Sequence, residues 1–140
     1  MACGVLGIVL KEDSEKLGKQ AKEGLMVLNH RGEVAHGFSF LRRDGSIETR
    51  HGPGLVRDSK KFDEPIFGSA LIGHTRYITS STDCEGNTQP IEFALESGAT
   101  AAIAHNGNVV NDKELASMFG IDHKGASDTK ILGMMLGKSL

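Results

Sequence analysis

Apolar residues near the start of the chain form one short continuous run and then recur at helical spacing. The run Val5-Leu6-Gly7-Ile8-Val9-Leu10 predicts a buried strand. The residues that recur at helical spacing after it are Leu17, Ala21, Leu25 and Leu28. Asp13 or Ser14 can cap such a helix, because both side chains offer an oxygen to the first free backbone amides. The chain therefore begins with a strand and an amphipathic helix.

The middle of the chain predicts a β-hairpin followed by less regular segments. Residues from Ala35 to Leu41 alternate loosely, and Ile47 to Arg50 can return antiparallel. Asp44-Gly45 between them is a strong signal for a two-residue hairpin loop. The next predicted elements are an irregular or helical stretch over 55–62, a strand over 70–77 and a long polar loop over 78–89. Loops of that length often act as lids.

The last third of the chain predicts two strands and two helices. The elements are strands over 91–95 and 100–104, a helix over 112–118 and a helix from residue 127 onward. Gly98 permits the turn between the strands, Asn111 with Glu114 forms a capping-box pattern, and Ser127 can cap the last helix. Strands in hairpins with helices interspersed predict an α+β layered domain with mostly antiparallel sheet.

Composition narrows the classes of function. The 140 residues suit one domain, and a net charge of −2 gives no broad attraction for nucleic acid or anionic membrane. The two cysteines, Cys3 and Cys84, lack CxxC spacing, which favours free thiols in a reducing compartment, so we expect a cytoplasmic protein. The six histidines show no ligand spacing, and we expect no metal site.

Cys3 carries the first chemical hypothesis. Removal of Met1 and Ala2 would give this residue both a thiol and a free α-amine, so that nucleophile and base belong to one residue. An α-amine has a pKa of about 7.7–8.0 and can accept the thiol proton near neutral pH. The alternative is a buried structural thiol on the first strand.

Five short segments resemble, in order and content, the glutaminase domain of the class II glutamine amidotransferases, which are N-terminal-nucleophile hydrolases. The segments are Leu28-Asn29-His30-Arg31-Gly32, Gly54-Leu55-Val56, Gly73-His74-Thr75-Arg76-Tyr77, Gln89-Pro90 and Ala104-His105-Asn106-Gly107-Asn108. The resemblance covers nearly the whole chain. It is closest to the members whose glutaminase domain is joined to a phosphoribosyltransferase domain.

The resemblance implies a catalytic set. Cys3 would attack the side-chain carboxamide of glutamine, and Asn106 with Gly107 would form the oxyanion hole. Arg31 matches a residue that orders the surroundings of the cysteine. Taken alone, Asn106-Gly107 is also a common turn dipeptide.

The resemblance also implies a set of residues that bind glutamine. Arg76 would hold the α-carboxylate, Asp128 the α-ammonium, and Thr79 matches a threonine near the carboxylate. The alternatives are an Arg76 in a surface ion pair and an Asp128 that serves only as a first-turn helix acid.

The family fold is a layered N-terminal-nucleophile hydrolase fold with antiparallel sheets flanked by helices. We expect residues 1–140 to be a glutaminase domain that is incomplete at its C-terminus, because the family domain continues beyond Ser127-Asp128-Thr129. No cofactor is expected on this chain, and Mg²⁺ with phosphoribosyl diphosphate would belong only to the absent domain. The expected partners are glutamine and a phosphoribosyltransferase domain or subunit. Exposed sheet surfaces also predict a homo-oligomer.

The expected function is hydrolysis of glutamine to glutamate and ammonia, with the ammonia used in the first committed step of purine nucleotide biosynthesis. One departure from the family bears on it, because Ala2 separates Cys3 from the initiator methionine, and an amide nitrogen cannot act as a base. The alternative is a non-catalytic glutamine-binding or regulatory fragment with a blocked cysteine. A thiol redox protein using Cys3 and Cys84 is a third interpretation.

Overall fold

The strands form two antiparallel sheets, and each sheet is covered by a helix. The structure is a computed structural model that describes residues 3–77 and 86–140. Its strands are β1 (Gly4–Ser14), β2 (Ala35–Leu41), β3 (Ile47–Pro53), β4 (Gly68–Arg76), β5 (Ile91–Ala94) and β6 (Thr100–Ile103). Its helices are α1 (Lys16–Leu28), α2 (Asp112–Met118) and α3 (Asp128–Gly137), and short 3₁₀ turns cover Asn29–Arg31, Val56–Asp58 and Lys60–Phe62. The predicted α+β class with antiparallel sheets is confirmed.

The larger sheet has the strand order β1-β4-β2-β3, with every neighbouring pair antiparallel. Helix α1 covers one face of it, and three of its four predicted apolar residues are buried there, Leu17, Ala21 and Leu25, whereas Leu28 is half-buried. The core between helix and sheet consists of Leu17, Ala21, Leu25, Phe38, Phe40, Val56, Ile66 and Leu71. Since burial of one large apolar side chain is worth about 1.5–3 kcal/mol, this layer holds the larger sheet in place.

The smaller sheet pairs β5 with β6 and packs against α3. A Cβ built at Gly133 of α3 would lie 3.0 Å from the Phe93 ring and 3.4 Å from Ile103, so the helix rests closely on these strands. Ala102 points the other way and lines an apolar groove with Ala70 and Ile72 of the larger sheet. The layers are therefore α1, the larger sheet, the smaller sheet and α3.

The β2–β3 hairpin forms as expected, but the prediction of a two-residue loop is wrong. Arg42 N–H donates to Ser46 O (2.8 Å) and Gly45 N–H donates to Arg42 O (3.0 Å), which leaves three residues in the loop. A two-residue loop of the Asp-Gly type needs positive φ at both residues. Only Gly45 has it, at +84°, so one more residue is needed to reverse the chain.

Of the three predicted helix caps, only the one at α3 is confirmed, because the residue that precedes α1 is Glu15 and it makes no side-chain cap hydrogen bond. Ser127 Oγ accepts a hydrogen bond from Lys130 N–H (3.3 Å), and Ser14 Oγ accepts one from Lys16 N–H (3.2 Å). The capping box at α2 is wrong, because Asn111 makes no side-chain cap. Its backbone, at φ −112° and ψ 29°, is far from the extended conformation that lets a capping side chain reach back to the helix.

No helix in residues 3–77 or 86–140 is long and apolar enough to cross a membrane. The predicted lid over 78–89 falls mostly outside the described residues, as do Thr79 and Cys84.

Candidate active site

A cavity of about 570 Å³ lies where the ends of the two sheets meet. The residues that line it are Cys3, His74, Arg76, Tyr77, Asn87, Gln89, His105, Asn106, Gly107, Asn108, Ser127, Asp128 and Thr129. His74 and Arg76 lie on β4, Cys3 directly precedes β1 and Tyr77 directly follows β4, whereas the others come from segments around the smaller sheet and α3. The fold thus brings together residues that are up to 126 positions apart, from Cys3 to Thr129.

Cys3 stands at the start of β1 and is held on two sides. Its Sγ accepts a hydrogen bond from the backbone N–H of Tyr77 (3.5 Å). Its carbonyl oxygen accepts one from Arg31 Nε (3.0 Å). The residue is half-buried and lines the cavity, and these two hydrogen bonds fix its position there.

Two glycines let the chain come close enough for these contacts. A Cβ at Gly4 would lie 2.6 Å from Thr75 Oγ1 and 2.9 Å from Leu28 Cβ. A Cβ at Gly32 would lie 2.5–2.7 Å from backbone atoms of Thr75 and Arg76. Both positions therefore require glycine, because the chain packs closely against β4 there. Gly4 directly follows Cys3, and Gly32 directly follows Arg31.

Asn29 connects two of the segments singled out in the sequence. Its Nδ2 donates to Gly32 O (3.1 Å), which closes the turn that carries Arg31. Its Oδ1 accepts from Val56 N–H (3.1 Å), in the Gly54-Leu55-Val56 segment. One side chain thus fixes the position of Arg31 relative to the larger sheet.

The turn after β6 places Asn106 and Gly107 at the cavity, where both are exposed. A Cβ at Gly107 would lie 2.5 Å from His105 Nε2, so the imidazole occupies the space of a side chain at that position. His105 N–H donates to the side-chain oxygen of Gln89 (2.6 Å). The turn is therefore held from the chain segment that precedes β5.

Asp128 is the first residue of α3, and its carboxylate is anchored by backbone donors. Oδ2 accepts from Val109 N–H (3.0 Å) and Oδ1 accepts from Thr129 N–H (2.7 Å). The amino end of a helix also favours negative charge. The carboxylate is thus fixed at the cavity wall in a position where it can receive a cation.

His74 lies on β4 beside Arg76 and is only 1% exposed. Burial, and then the nearby Arg76 guanidinium, lower the pKa of His74 from 6.5 to about 4. The imidazole is therefore neutral at neutral pH. Arg76 itself is 7% exposed, so a buried cation stands in the cavity wall with a neutral neighbour.

The structure places the predicted site residues as follows. Five of them line the one cavity: Cys3, Arg76, Asn106, Gly107 and Asp128. Arg31 does not line it but contacts the main chain of Cys3, and Thr79 lies outside the described residues. Sequence reasoning assigned no role to Gln89, Thr129 or the Tyr77 amide. Gln89 and Thr129 do occur in the segments singled out, but a local pattern does not reveal which side chains they meet.

In the described ranges, no three His, Cys, Asp or Glu side chains form a group that could hold a metal ion.

The chain is related to the class II glutamine amidotransferases, as its ordered segments indicated. Within that class it is homologous to amidophosphoribosyltransferase over nearly its whole length. It is 33% identical to the Bacillus subtilis amidophosphoribosyltransferase over 143 residues, which cover 98% of this chain and 29% of that protein. It is also 33% identical to the Archaeoglobus fulgidus amidophosphoribosyltransferase over 145 residues, 99% of this chain and 30% of that protein. The chain thus spans about three tenths of the length of these relatives.

Solved structures give the same relationship. The allosteric regulatory enzyme of purine biosynthesis matches with a TM-score of 0.73 and 29% identity, over 91% of this chain and 28% of that one. The B. subtilis glutamine phosphoribosylpyrophosphate amidotransferase, solved with ADP and GMP, matches with a TM-score of 0.64 and 28% identity over the same shares. No family model matches the chain.

Proposed function

We propose that this chain is a glutamine amidotransferase domain that hydrolyses glutamine to glutamate and ammonia through a thioester on Cys3. The observation that carries the proposal is the shared cavity, where a thiol, an Asn-Gly turn, a buried guanidinium and an anchored carboxylate meet. Homology to amidophosphoribosyltransferase supports it independently. In this proposal the two sheets with their outer helices form the N-terminal-nucleophile hydrolase fold.

The charges of the cavity suit the head group of a free amino acid. Arg76 presents a planar cation to the α-carboxylate. The Asp128 carboxylate offers about four lone-pair sites and uses three of them, two for backbone amides and one for the Thr129 hydroxyl, so it retains capacity for the α-ammonium. Because His74 is neutral, it does not compete with Arg76 for the carboxylate. Thr79 would add a contact near that carboxylate.

The reaction then follows from the cysteine. Cys3 Sγ attacks the side-chain amide carbon of glutamine, and the thiol proton passes to the α-amine of the same residue. Asn106 and the Gly107 N–H stabilise the oxyanion, a role in which one donor is typically worth about 2.7–4 kcal/mol. The carbon–nitrogen bond breaks as the leaving nitrogen takes the proton, which releases ammonia and leaves the γ-glutamyl thioester. Water then attacks the thioester, so that glutamate departs and the thiol is restored.

The proton transfer requires that the peptide bond between Ala2 and Cys3 be cleaved, because the nitrogen is otherwise an amide. Arg31 would keep the new terminus in place through the Cys3 carbonyl. If the bond stays intact, the alternative applies: a non-catalytic glutamine-binding or regulatory fragment that uses Arg76 and Asp128. The observation that favours this alternative is that Met1 and Ala2 precede Cys3 in the sequence.

The role in the cell is proposed from the relatives. The ammonia would pass to a phosphoribosyltransferase site that is not on this chain, in the cytoplasm, for the first committed step of purine nucleotide biosynthesis. Residues 1–140 would be one part of a glutaminase domain that works with a phosphoribosyltransferase domain or subunit. Mg²⁺ and phosphoribosyl diphosphate would bind on that partner, and no cofactor would bind here.

The test compares the chain cleaved after Ala2 with the chain that retains Met1-Ala2. With glutamine, the cleaved form should release equal amounts of ammonia and glutamate, and added hydroxylamine should trap the thioester as γ-glutamyl hydroxamate. The uncleaved form and the Cys3→Ala variant should release no ammonia or glutamate and should form no hydroxamate. Glutamine binding without turnover in the cleaved form would favour the non-catalytic alternative. Turnover by the uncleaved form would refute the α-amine as the base.

A further inference from the structure

We propose that Gln89 and Thr129 are positioning residues that hold the oxyanion turn and Asp128 at a fixed separation. We call their contact the amide–hydroxyl bridge. Gln89 Oε1 accepts from His105 N–H (2.6 Å), and Gln89 Nε2 donates to Thr129 Oγ1 (3.0 Å). This inference rests on the proposed function, because it assigns Asn106, Gly107 and Asp128 their roles in glutamine hydrolysis.

The Thr129 hydroxyl is the centre of a saturated network and is 1% exposed. It donates to Asp128 Oδ1 (3.3 Å) and accepts from Gln89 Nε2. His105 Nδ1 lies 3.3 Å from the same oxygen. A hydroxyl has one proton and two lone pairs, so the remaining lone pair must face His105. The network therefore assigns the imidazole proton of His105 to Nδ1.

Gln89 is also fixed to the larger sheet through its main chain. A Cβ at Gly37 of β2 would overlap the Gln89 carbonyl oxygen, so the two backbones are in close contact. In the next residue, the Pro90 carbonyl accepts from His51 Nε2 of β3 (2.8 Å). The main chain of Gln89 is thus seated on one sheet, while its side chain reaches the turn after β6 and the start of α3.

These contacts join the parts of the site that must fit one substrate. Asn106 and Gly107 directly follow His105, and Asp128 directly precedes Thr129. The bridge therefore sets the distance between the donors for the amide end of glutamine and the acceptor for its α-ammonium. Loss of the bridge should misalign both ends at once, so both kcat and KM should change.

The test uses Thr129→Val, which has nearly the same shape and no hydroxyl, with Thr129→Ser as the matched control. In the form cleaved after Ala2, Thr129→Val should lower kcat/KM for glutamine by about 10–100-fold, because Gln89 Nε2 loses its buried acceptor and the bridge is broken. Thr129→Ser should stay within about threefold of the parent, since it keeps the hydrogen bonds. Thermal unfolding should show that both variants are fully folded at the assay temperature, so that the loss of kcat/KM is not a folding defect. Parent-like kinetics in Thr129→Val would overturn the proposal.

A double-mutant cycle isolates the bridge. Gln89→Leu alone should lower kcat/KM at least as much as Thr129→Val, since it also removes the acceptor for His105 N–H. Adding Thr129→Val to Gln89→Leu should cost less than Thr129→Val costs in the parent, because the shared hydrogen bond is already absent and only the contacts of the hydroxyl with Asp128 and His105 are still lost. Additive losses would contradict a direct connection between the two side chains.

A spectroscopic readout separates failure of the bridge from failure of the proposed function. Nitrogen-15 NMR of the His105 ring should show the proton on Nδ1 in the parent, and Thr129→Val should lose that preference while Thr129→Ser keeps it. If the parent shows this pattern but never hydrolyses glutamine, the bridge is supported and the glutaminase reaction is refuted. A parent with the proton on Nε2 would overturn the bridge whatever the activity.

Discussion

His74 shows how a single residue ties the site to the stability of the fold. A neutral imidazole beside Arg76 adds no second positive charge next to the guanidinium in the cavity wall. The lowered pKa of His74 affects stability, because between pH 4 and 6.5 this imidazole is protonated in the unfolded chain but neutral in the native chain. The same holds in direction for His36, whose pKa burial also lowers.

The pH dependence of unfolding should reveal His74. Its pKa is about 4 in the native state against 6.5 in the unfolded state, so stability should be complete above pH 6.5 and fall as the pH drops towards 4. At 1.36 kcal/mol per pKa unit, the loss attributable to this residue is roughly 3 kcal/mol. Urea unfolding at pH 7 and at pH 4.5 measures it.

His74→Asn is the comparison for that measurement. The variant should be less stable than the parent at pH 7, yet it should lose less stability on acidification, because the buried titrating group is gone. Other groups titrate equally in both proteins, so the difference between the two pH slopes isolates His74. An equally steep slope in the variant would contradict the assignment.

Close packing of β1 against β4 determines the position of Cys3. Substitutions at two glycines of β1, Gly4 and Gly7, test this role of the packing. Gly4→Ala would drive a methyl group against Thr75 and Leu28, which we expect to cost about 1–3 kcal/mol of unfolding free energy. Gly7→Ala is the matched control, because a Cβ there meets no atom within 4 Å. Removing a glycine at such a site should stabilise by up to about 1 kcal/mol.

Chemical denaturation of both variants measures these effects, and the reaction of the Cys3 thiol with a maleimide provides a local readout. Gly4→Ala should change the rate of that reaction, since the strand must shift next to the cysteine. Gly7→Ala should leave it unaltered. Equal stabilities for the two variants would show that β1 is free to adjust.

Periodicity predicted the elements well, because each pattern reports local burial. Three of the four apolar residues predicted for α1 are buried, and the predicted helix over 112–118 has those bounds in the structure. The errors arose where the backbone conformation of one residue decides the outcome. Asp44 does not adopt positive φ and Asn111 is not extended, and neither fact is visible in the residue types.

The site was predictable in residue type but not in arrangement. The family resemblance suggested Cys3, Arg76 and Asp128 as candidates, while nothing local indicates that they meet. Their meeting depends on the strand order β1-β4-β2-β3 and on the layering of the two sheets. The role of Gln89 is beyond sequence reasoning for the same reason, since its partners come from β2, the turn after β6 and α3.

At the scale of the whole molecule, the face of the larger sheet away from α1 carries exposed apolar residues. Val9 is 85% exposed, Val5 44% and Leu41 39%. Val9 and Leu41 line the apolar groove between the sheets, next to Ile72. The expectation of a homo-oligomer stays a prediction, and this face is where we expect two copies to meet.

Sedimentation velocity over a range of concentrations tests this expectation. The parent should sediment increasingly as a dimer or larger species, and Val9→Lys should shift the population towards monomer. Val27→Lys is the control, because Val27 is 71% exposed but lies on α1, away from the groove. A parent that stays monomeric throughout would refute self-association, and an equal effect of both lysines would refute the groove as its site.

The division of the cavity between two layers has a consequence for how such a protein could change its preference among amides. Among the residues of the proposed reaction, Cys3 and Arg76 belong to the larger sheet or directly adjoin it, whereas Asn106 and Asp128 lie in segments around the smaller sheet. A small slide of one layer over the other would alter the length of molecule accepted while every reactive group kept its identity. Selectivity among amide substrates could then evolve through substitutions between the two sheets, without any change in the catalytic residues.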